Sequence, residues 1–222
     1  MPFRLVLASA SPRRAKLLRA AGFTFETRIV VIDEAARQEE SASAYVRRLA
    51  MEKSAAAIAQ IHGPAEAGHS RNRVEQDPHR ETLVSGLRRT EEEEVVVLGA
   101  DTAVVVDGEI LGKPRDDADA GSMLHRLSGR RHEVMTGVSL RRGEVELGRV
   151  ETTAVYFTAL SDADVLWYVA SGEGRDKAGA YAIQGLASRF IPRIEGSYSN
   201  VVGLPVACVV ELLRLCGQAD RL

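Results

Sequence analysis

The distribution of apolar residues along the chain predicts a protein built from both strands and helices. Short apolar runs rich in β-branched residues indicate strands, and longer segments with apolar residues three or four positions apart indicate amphipathic helices. The predicted strands span 4–8, 23–32, 95–98, 103–106, 109–111, 133–140, 144–157 and 189–194. The predicted helices span 12–21, 41–61, 117–128, 162–170 and 205–216. Asp116 or Asp117 can cap the third of these helices, and Ser161 with Asp164 can form a capping box for the fourth. Because no segment repeats another and 222 residues can bury a sizeable core, we expect a single domain over 1–222.

The stretch 95–138 is the most informative part of the sequence, because it places a carboxylate between two apolar runs. Small residues at 99–100 reduce the side-chain bulk just before Asp101, which allows another group to approach closely. The Asp-Gly pair at 107–108 is a favoured hairpin turn, and Lys113 follows the strand that returns from it. Considered alone, Asp101 is better explained as a turn or capping residue, so its role depends on the rest of the chain.

The start of the first predicted helix has the features of an anion-binding site. Ser11 is a favourable N-cap and Pro12 suits the first helical position. Free backbone N–H groups at such a helix start attract anions. Arg13 and Arg14 fall in the first turn, where cations are unfavourable for the helix dipole unless an anion lies between them. Both could instead be solvated surface residues, and that alternative is stronger for Arg14 than for Arg13.

Further polar residues that could bind a ligand or take part in a reaction lie on separate predicted elements. Glu34 follows a predicted strand, and Lys53 interrupts the alanine-rich half of the helix 41–61. Lys177 and Gln184 lie in a glycine-rich loop at 171–185, where they would face a ligand if the loop is more than a connector. Each of these residues is also typical of a solvated surface, so each signal is weak by itself.

Together, the charged residues fit a polyphosphate that is bound with Mg²⁺. Carboxylates such as Glu34 and Asp101 hold a hard cation, and lysine and arginine side chains neutralise phosphate oxygens. A carboxylate near the metal can also orient or deprotonate a water molecule. No Ser-His-Asp or Cys-His arrangement in the sequence competes with this interpretation.

Composition and charge exclude several other classes. The 29 lysines and arginines against 31 acidic residues give a net charge of −2, so an anionic ligand must be attracted by local charge and binding to nucleic acid is not expected. No apolar run approaches the ~20 residues that span a bilayer, so no membrane association is expected. Cys208 and Cys216 lie eight residues apart on one predicted helix, too far to bridge, which favours a reducing cytoplasm.

The segment 62–94 differs in composition from its surroundings. It is rich in Gly, Pro, His, Arg and Glu, lacks a hydrophobic period, and ends in four consecutive glutamates. We interpret it as a long, mobile surface insertion. The spacing of His62, His69 and His79 matches no compact zinc site, so an interpretation without metal is favoured.

Five motifs, in order along the chain, resemble those of the Maf family of nucleoside triphosphate pyrophosphatases. They are LASASPRRAKLL, GADTAVVVDGEILGKP, LSGRRHEVMTGV, DKAGAYAIQG and IEGSYSNVVGLP. The resemblance runs from Leu5 to about Leu213 and is greatest to the branch that acts on dTTP and UTP. The chain departs from the family pattern in the length of the segment 62–94 and in Ala182, where a glycine is common.

The resemblance implies a fold and an activity. The fold would be an elongated α/β structure of the Maf and ITPase-like type, with a mixed twisted sheet, flanking helices and a central cleft between two lobes, often assembled as a homodimer. The activity would be hydrolysis of nucleoside triphosphates to the monophosphate and pyrophosphate with a divalent metal, Mg²⁺ or Mn²⁺. The family is thought to remove non-standard nucleotides and has been linked to the arrest of cell division.

The resemblance also implies a role for individual residues. Asp101 corresponds to the proton acceptor, and Arg13, Thr102 and Gln184 correspond to the positions that determine specificity. Glu34 corresponds to an acidic residue that would hold the metal together with Asp101. The remaining substrate-binding positions would be Ser11, Lys53 and Lys113.

Two alternatives remain open at this point. The family branch that acts on 7-methyl-GTP has SDQ at the aspartate motif, where this chain has ADT, so that branch ranks well behind. A division regulator that binds a nucleotide without catalysis would not require Asp101. Release of pyrophosphate from dTTP by the purified protein would distinguish an enzyme from such a regulator.

Overall fold

The computed structural model describes residues 3–63 and 94–217, and a mixed sheet forms the centre of this part of the chain. Its strands are β1 (Phe3–Ala8), β2 (Glu26–Thr27), β3 (Glu94–Val106), β4 (Glu109–Leu111), β5 (Arg131–Arg142), β6 (Val145–Tyr156) and β7 (Arg193–Glu195). Their order is β2-β1-β3-β5-β6-β7, with β4 paired to β3 outside this path. β1 is parallel to β2 and β3, and the other pairs are antiparallel.

Helices flank both faces of this sheet. They are α1 (Pro12–Ala20), α2 (Ala42–His62), α3 (Asp117–Leu127), α4 (Asp162–Ala170), α5 (Tyr198–Val202) and α6 (Val206–Leu215), with 3₁₀ helices at Ala178–Ala180 and Leu186–Phe190. The side chains of Ser11, Asp116 and Ser161 accept hydrogen bonds from backbone N–H groups in the first turns of α1, α3 and α4, as the sequence predicts. The α/β class with a mixed sheet and flanking helices is therefore confirmed.

Strand β3 meets two different strands along one of its edges. β1 pairs with it up to Ala8, opposite Gly99, and β4 pairs with it from Leu111, opposite Val104. β5 pairs with the other edge along nearly the whole strand. None of the described strands pairs with the first edge at 100–103, so the sheet has a gap there. The gap lies between a lobe built on β1 and a lobe built on β4.

Each lobe has its own hydrophobic core. One core includes Leu7, Leu98 and Leu213, where α1 and α6 cover β1 and the first half of β3. The other includes Leu124 and Phe157, where α3 and α4 cover the second half of the sheet. Removal of apolar surface from water in two separate clusters stabilises each lobe. The predicted cleft between two lobes is confirmed by this arrangement.

Helix α2 packs against the opposite face of the sheet at very short range. An added Cβ at Gly99 would lie 2.2 Å from the carbonyl oxygen of Ala50, and one at Gly137 would lie 2.1 Å from that of Val46. Real Cβ atoms do not approach a carbonyl oxygen so closely, so these two positions require glycine. The helix that carries Lys53 is therefore seated on the sheet by direct contact between main chains.

The two predicted strands 95–98 and 103–106 are one strand in the structure. β3 continues through Gly99, Ala100 and Asp101 without interruption, because β5 pairs with this stretch residue by residue. The interpretation of Asp101 as a turn residue is therefore wrong. The predicted hairpin at 107–108 is confirmed, since Asp107 and Gly108 have φ angles of 53° and 79°, as a type I′ turn requires.

The predicted strand 23–32 is much shorter in the structure. Only Glu26 and Thr27 pair with β1, and Arg28 donates one further hydrogen bond to the carbonyl of Leu7. Beyond that point β1 ends, so the following residues have no strand to pair with. The alternating apolar pattern of 23–32 predicted a strand over its whole length. The paired length is set by the partner strand, about which the pattern carries no information.

The predicted strand 189–194 is also wrong in its extent. The 3₁₀ helix Leu186–Phe190 occupies its first part, and β7 occupies Arg193–Glu195. The short helix α5 was not predicted, because five residues are too few to display a helical period. The predicted insertion 62–94 lies outside the described residues except for its ends. His62 is the last residue of α2, Gly63 follows it, and Glu94 begins β3.

A buried histidine in β5 makes folding stability dependent on pH. His132 is 2% exposed, its Nε2 lies 2.8 Å from the hydroxyl of Tyr181, and its buried Nδ1 has no partner among the described residues. Burial, with a smaller contribution from the charge of Arg131, lowers the pKa of His132 from 6.5 to about 4. The protonated imidazolium is unfavourable here, because the second N–H would have no acceptor.

We expect unfolding free energy to fall as the pH decreases from 6.5 towards 4. In this window the unfolded chain binds a proton at His132 that the folded chain does not, and the full loss is about 3 kcal/mol. Urea unfolding of the wild type and of His132→Gln across this range measures the difference. The variant, although less stable at pH 7, should show a slope shallower by about 1.4 kcal/mol per pH unit. Equal slopes would contradict the assignment to His132.

Candidate active site

A cleft of about 550 Å³ lies over the gap in the sheet. Asp101 and Thr102 of β3 form part of its floor, the start of α1 lies on one side, and the glycine-rich loop that follows α4 lies on the other. Consecutive residues of a strand point to opposite faces, so Asp101 faces α2 and Thr102 faces α1. The two residues therefore contact different parts of the site. Every residue predicted for the site lines this cleft: Ser11, Arg13, Glu34, Lys53, Asp101, Thr102, Lys113 and Gln184.

Lys53 connects two carboxylates on the α2 side of the cleft. Its Nζ lies 2.7 Å from Oδ1 of Asp101 and 2.7 Å from Oε1 of Glu34. The Asp101 side chain is 13% exposed and that of Lys53 is 11% exposed, whereas Glu34 is more than half exposed. An ammonium group between two carboxylates offsets their mutual repulsion. Two acidic groups from distant parts of the sequence thus contact the same ammonium group.

The loop that carries Glu34 is held by contacts to α2. Tyr45 donates a hydrogen bond from its hydroxyl to the carbonyl of Glu34, at 3.0 Å. Arg48 donates to the carbonyl of Ala35 at 3.0 Å and pairs with Glu40 at 2.6 Å. The hydrogen bond from Lys53 lowers the pKa of Glu34, and nearby positive charges act in the same direction. Glu34 is therefore presented to the cleft as a carboxylate near neutral pH.

Arg14, not Arg13, is the buried arginine of the site. Its guanidinium donates to the carbonyl of Gly203 at 2.8 Å, to Oγ of Ser9 at 3.2 Å and to Oγ1 of Thr102 at 3.0 Å. The prediction that Arg14 is the more probable surface residue is wrong. The helical period could have corrected it, because Arg14 lies four residues before the buried Leu18 and so shares its face of α1.

The hydroxyl of Thr102 belongs to the same polar cluster as Arg14. It lies 3.0 Å from Oγ1 of Thr136, and it lies 3.3 Å from the carbonyl of Gly203. Thr136 is fully buried and was not singled out in the sequence. Its position opposite Thr102 follows from the register of β3 and β5, which only the structure provides.

Arg13 makes a contact across the mouth of the cleft. Its guanidinium lies 3.2 Å from Oδ2 of Asp176, and Oδ1 of Asp176 accepts a hydrogen bond from Lys177 at 2.5 Å. Lys177 also donates to the carbonyl of Glu173 at 2.6 Å. The interactions with these two cations lower the pKa of Asp176. This ion pair joins α1 to the glycine-rich loop at the edge of the cleft.

Three further predicted residues complete the lining. Ser11 caps α1, because its hydroxyl accepts a 3.5 Å hydrogen bond from the backbone N–H of Arg14. Lys113 and Gln184 are exposed side chains that face the cleft from the loop after β4 and from the glycine-rich loop. The structure therefore brings together residues from six separate segments, with cations surrounding a pair of carboxylates.

The protein side chains offer an incomplete set of metal ligands. Within residues 3–63 and 94–217, no three His, Cys, Asp or Glu side chains are grouped so that they could hold a metal ion. Glu34 and Asp101 supply two carboxylates that converge on one point, now contacted by Lys53. Mg²⁺ is commonly bound by one or two carboxylates together with substrate phosphates and water. The residues present fit a divalent cation that arrives with a polyphosphate.

The cleft has the general character of a site for a polyanionic substrate, because arginines, lysines and a helix N-terminus face it. Comparison with known proteins gives a narrower class. Residues 4–216 match the Maf-like protein family, and the chain belongs to that family. In the described ranges, none of the helices is both long and apolar enough to cross a membrane.

Relatives of this chain have been named individually. A relative from Anaeromyxobacter sp. (strain Fw109-5) is 47% identical over 223 residues, which cover 98% of this chain and 92% of the relative. One from Symbiobacterium thermophilum is 44% identical, with coverage of 96% and 94%. One from Shigella dysenteriae serotype 1 is 44% identical, with coverage of 94% and 91%. Each of these relatives is named dTTP/UTP pyrophosphatase.

Proposed function

We propose that this chain hydrolyses dTTP and UTP to the monophosphate and pyrophosphate. The observation that supports this most directly is the gap in the sheet, where Asp101 and a set of cations face one cleft. Similarity over almost the whole length to relatives named dTTP/UTP pyrophosphatase supports the same substrates. Both free cysteines, Cys208 and Cys216, are consistent with a reducing cytoplasm as the place of action.

The triphosphate would lie between the start of α1 and the α2 side of the cleft. The N-terminus of α1 carries the positive end of the helix dipole and unpaired N–H groups. Arg13, Lys53 and Lys113 add positive charge around it. Arg14 donates to Gly203, Ser9 and Thr102 through three of its five N–H groups, so its role would be to fix these groups and to contribute a fixed charge.

Asp101 is the residue we assign to proton transfer. A water molecule would attack the α-phosphorus, the bond from that phosphorus to the bridging oxygen would break, and pyrophosphate would leave with the bonding electrons. Asp101 would accept the proton that the attacking water loses, as a general base. Lys53 holds Oδ1 of Asp101 at 2.7 Å and so restricts the orientation of the carboxylate.

A divalent cation, Mg²⁺ or Mn²⁺, would be held by Glu34 and Asp101 with oxygens of the substrate, and it would neutralise charge on the departing pyrophosphate. Lys53 would then share these carboxylates with the cation or turn towards the phosphates. Lysine has a flexible stem of four carbons and can adopt either position.

The base would be selected by Gln184, with Arg13 and Thr102 nearby in the cleft. A glutamine amide offers a donor and an acceptor side by side, which fits the O4 and N3–H edge of uracil and thymine. A flipped amide would fit cytosine instead, so the surroundings of Gln184 must fix its orientation. We assign no residue to the sugar and expect both dTTP and UTP as substrates.

Phosphorus NMR of a reaction with UTP and Mg²⁺ tests the proposal. We expect UMP and pyrophosphate from the first time point, without UDP. In ¹⁸O-labelled water the label should enter UMP, because water attacks the α-phosphorus. UDP with orthophosphate, or label in pyrophosphate, would refute attack at the α-phosphorus. A panel with CTP, GTP and 7-methyl-GTP serves as the control, and a preference for a purine would refute the base assignment.

A further inference from the structure

Gln184 lies on a tight turn of the glycine-rich loop. The backbone N–H of Gly185 donates to the carbonyl of Ala182 at 3.1 Å, so the residues 182–185 close a turn with Gln184 as its third residue. The Gln184 side chain is exposed and faces the cleft. The direction of its amide therefore depends on the orientation of this turn.

The backbone at both ends of the turn is fastened to one pair of side chains. The N–H of Ala182, the first residue of the turn, donates to the hydroxyl of Tyr168 at 3.0 Å. The N–H of Leu186, after the turn, donates to Oε1 of Glu173 at 3.0 Å. The hydroxyl of Tyr168 in turn donates to Oε2 of Glu173 at 2.8 Å. We call these two side chains the Tyr168–Glu173 clamp.

The clamp is rigidly built into the second lobe. Tyr168 is 1% exposed and lies in α4, and burial raises the pKa of its hydroxyl, so it stays a donor at any physiological pH. Gly185 lies directly against the carboxylate, because a Cβ there would be 1.9 Å from Oε1 of Glu173. Lys177 donates to the backbone carbonyl of Glu173 at 2.6 Å. Neither clamp residue is among the residues that line the cleft.

We propose that Tyr168 and Glu173 are positioning residues for base selection, acting through the turn that carries Gln184. This inference rests on the proposed role of Gln184 as the residue that contacts the base. A role confined to the end of α4 would not require hydrogen bonds both to the first residue of the turn and to the residue that follows it. Hydrogen bonds to a carboxylate are stronger than neutral ones, so this arrangement restrains the turn more than ordinary loop contacts would.

Loss of the clamp should change which base is accepted more than it changes the hydrolysis of the phosphate chain. A free turn lets the Gln184 amide rotate, so it presents its donor and acceptor in either order. Uracil presents an acceptor at O4 and a donor at N3–H, whereas cytosine presents a donor at its 4-amino group and an acceptor at N3. We therefore expect Tyr168→Phe and Glu173→Gln to reduce the ratio of kcat/KM for UTP over CTP by about 10-fold. Inhibition by pyrophosphate, which has no base, should stay within about twofold of wild type.

Two variants control for unrelated effects. Tyr156→Phe removes a hydroxyl that binds Glu195 at 2.9 Å, away from the turn. Asp164→Ala removes the capping box at the other end of α4 and weakens that helix without touching the loop. Both should keep the wild-type ratio of UTP over CTP. A ratio lowered equally in Asp164→Ala would show that general loosening of α4, and not the clamp, produces the effect.

A double-variant cycle tests whether the clamp acts through Gln184. If it does, Glu173→Gln should lower the UTP over CTP ratio in the wild type but not in a Gln184→Ala background. Independent, multiplicative losses in the double variant would overturn the proposal, because Glu173 would then act by another route.

Backbone hydrogen exchange separates this inference from the proposed function. In Glu173→Gln and Tyr168→Phe, the N–H groups of Ala182 and Leu186 should exchange at least about 10-fold faster than in wild type. This result requires no substrate, so it stands even if the chain hydrolyses another nucleotide. Unchanged exchange at both positions would refute the clamp, whereas faster exchange with no UTP hydrolysis in the wild type would refute the proposed function alone.

Discussion

Asp101→Asn should abolish turnover while the protein stays folded. The amide has nearly the shape of the carboxylate, but it cannot accept a proton from water and cannot hold a cation as an anion. Removal of a general base lowers rates by ~10²–10⁴-fold, and we expect a loss towards the upper end, because Asp101 is assigned to both roles. Measurement of kcat with UTP, together with the melting temperature, checks this expectation.

The control for this substitution is Asp107→Asn. Asp107 is the first residue of the hairpin turn that follows β3, is exposed, and pairs with Arg130 at 2.5 Å, so its substitution makes the same chemical change outside the cleft. It should retain activity close to wild type. Near-normal kcat in a folded Asp101→Asn variant would show that another group activates the water.

Lys53→Met should lower activity strongly and change the response of the protein to divalent cations. The substitution leaves Asp101 and Glu34 without the ammonium group that contacts both. Breaking a buried ion pair costs about 3–5 kcal/mol of stability, and the exposure of Glu34 places this case at the lower end. Loss of a positive charge beside the phosphates should reduce kcat/KM by ~10²–10³-fold.

Magnesium should then stabilise the variant more than the wild type. In Lys53→Met the ammonium group that contacts both carboxylates is gone, so it no longer competes with Mg²⁺ for them. Ligand binding to the folded state raises stability with the logarithm of the ligand's affinity. Thermal unfolding with and without Mg²⁺, in the absence of substrate, measures this. Lys16→Met, at an exposed lysine of α1, controls for loss of charge. A smaller magnesium shift in Lys53→Met than in wild type would mean that the carboxylates do not form the cation site.

Local signals in the sequence predicted most element starts. Ser11, Asp116 and Ser161 each cap a helix in the structure, and Asp107 with Gly108 forms the hairpin, because these features depend only on nearby residues. The extents of strands were less accurate. A strand ends where its partner ends, and the partners of 23–32 and of 95–106 are set by distant segments.

The membership of the site could be predicted from the sequence, but its arrangement could not. The resemblance of motifs identified eight residues that line the cleft, but it did not identify Arg14, which also lines it. It gave no indication that Lys53 contacts Asp101 and Glu34 at once, or that Thr102 turns away from Asp101 towards Arg14. These relations depend on the register of β3 and on the seating of α2, both of which involve contacts between residues dozens of positions apart.

The main-chain contact of α2 with Gly99 and Gly137 has a consequence for how such a chain can diverge. The separation of Lys53 from Asp101 depends on where the backbone of α2 meets that of the sheet, and the hydrophobic cores of the two lobes contain no residue of α2. Drift in core composition can therefore proceed without shifting the reactive pair. A single methyl group at either glycine would instead lift the whole helix and carry the ammonium group away from the carboxylate. Descendants of such a chain could exchange most of their interior residues but would have to keep glycine at both positions.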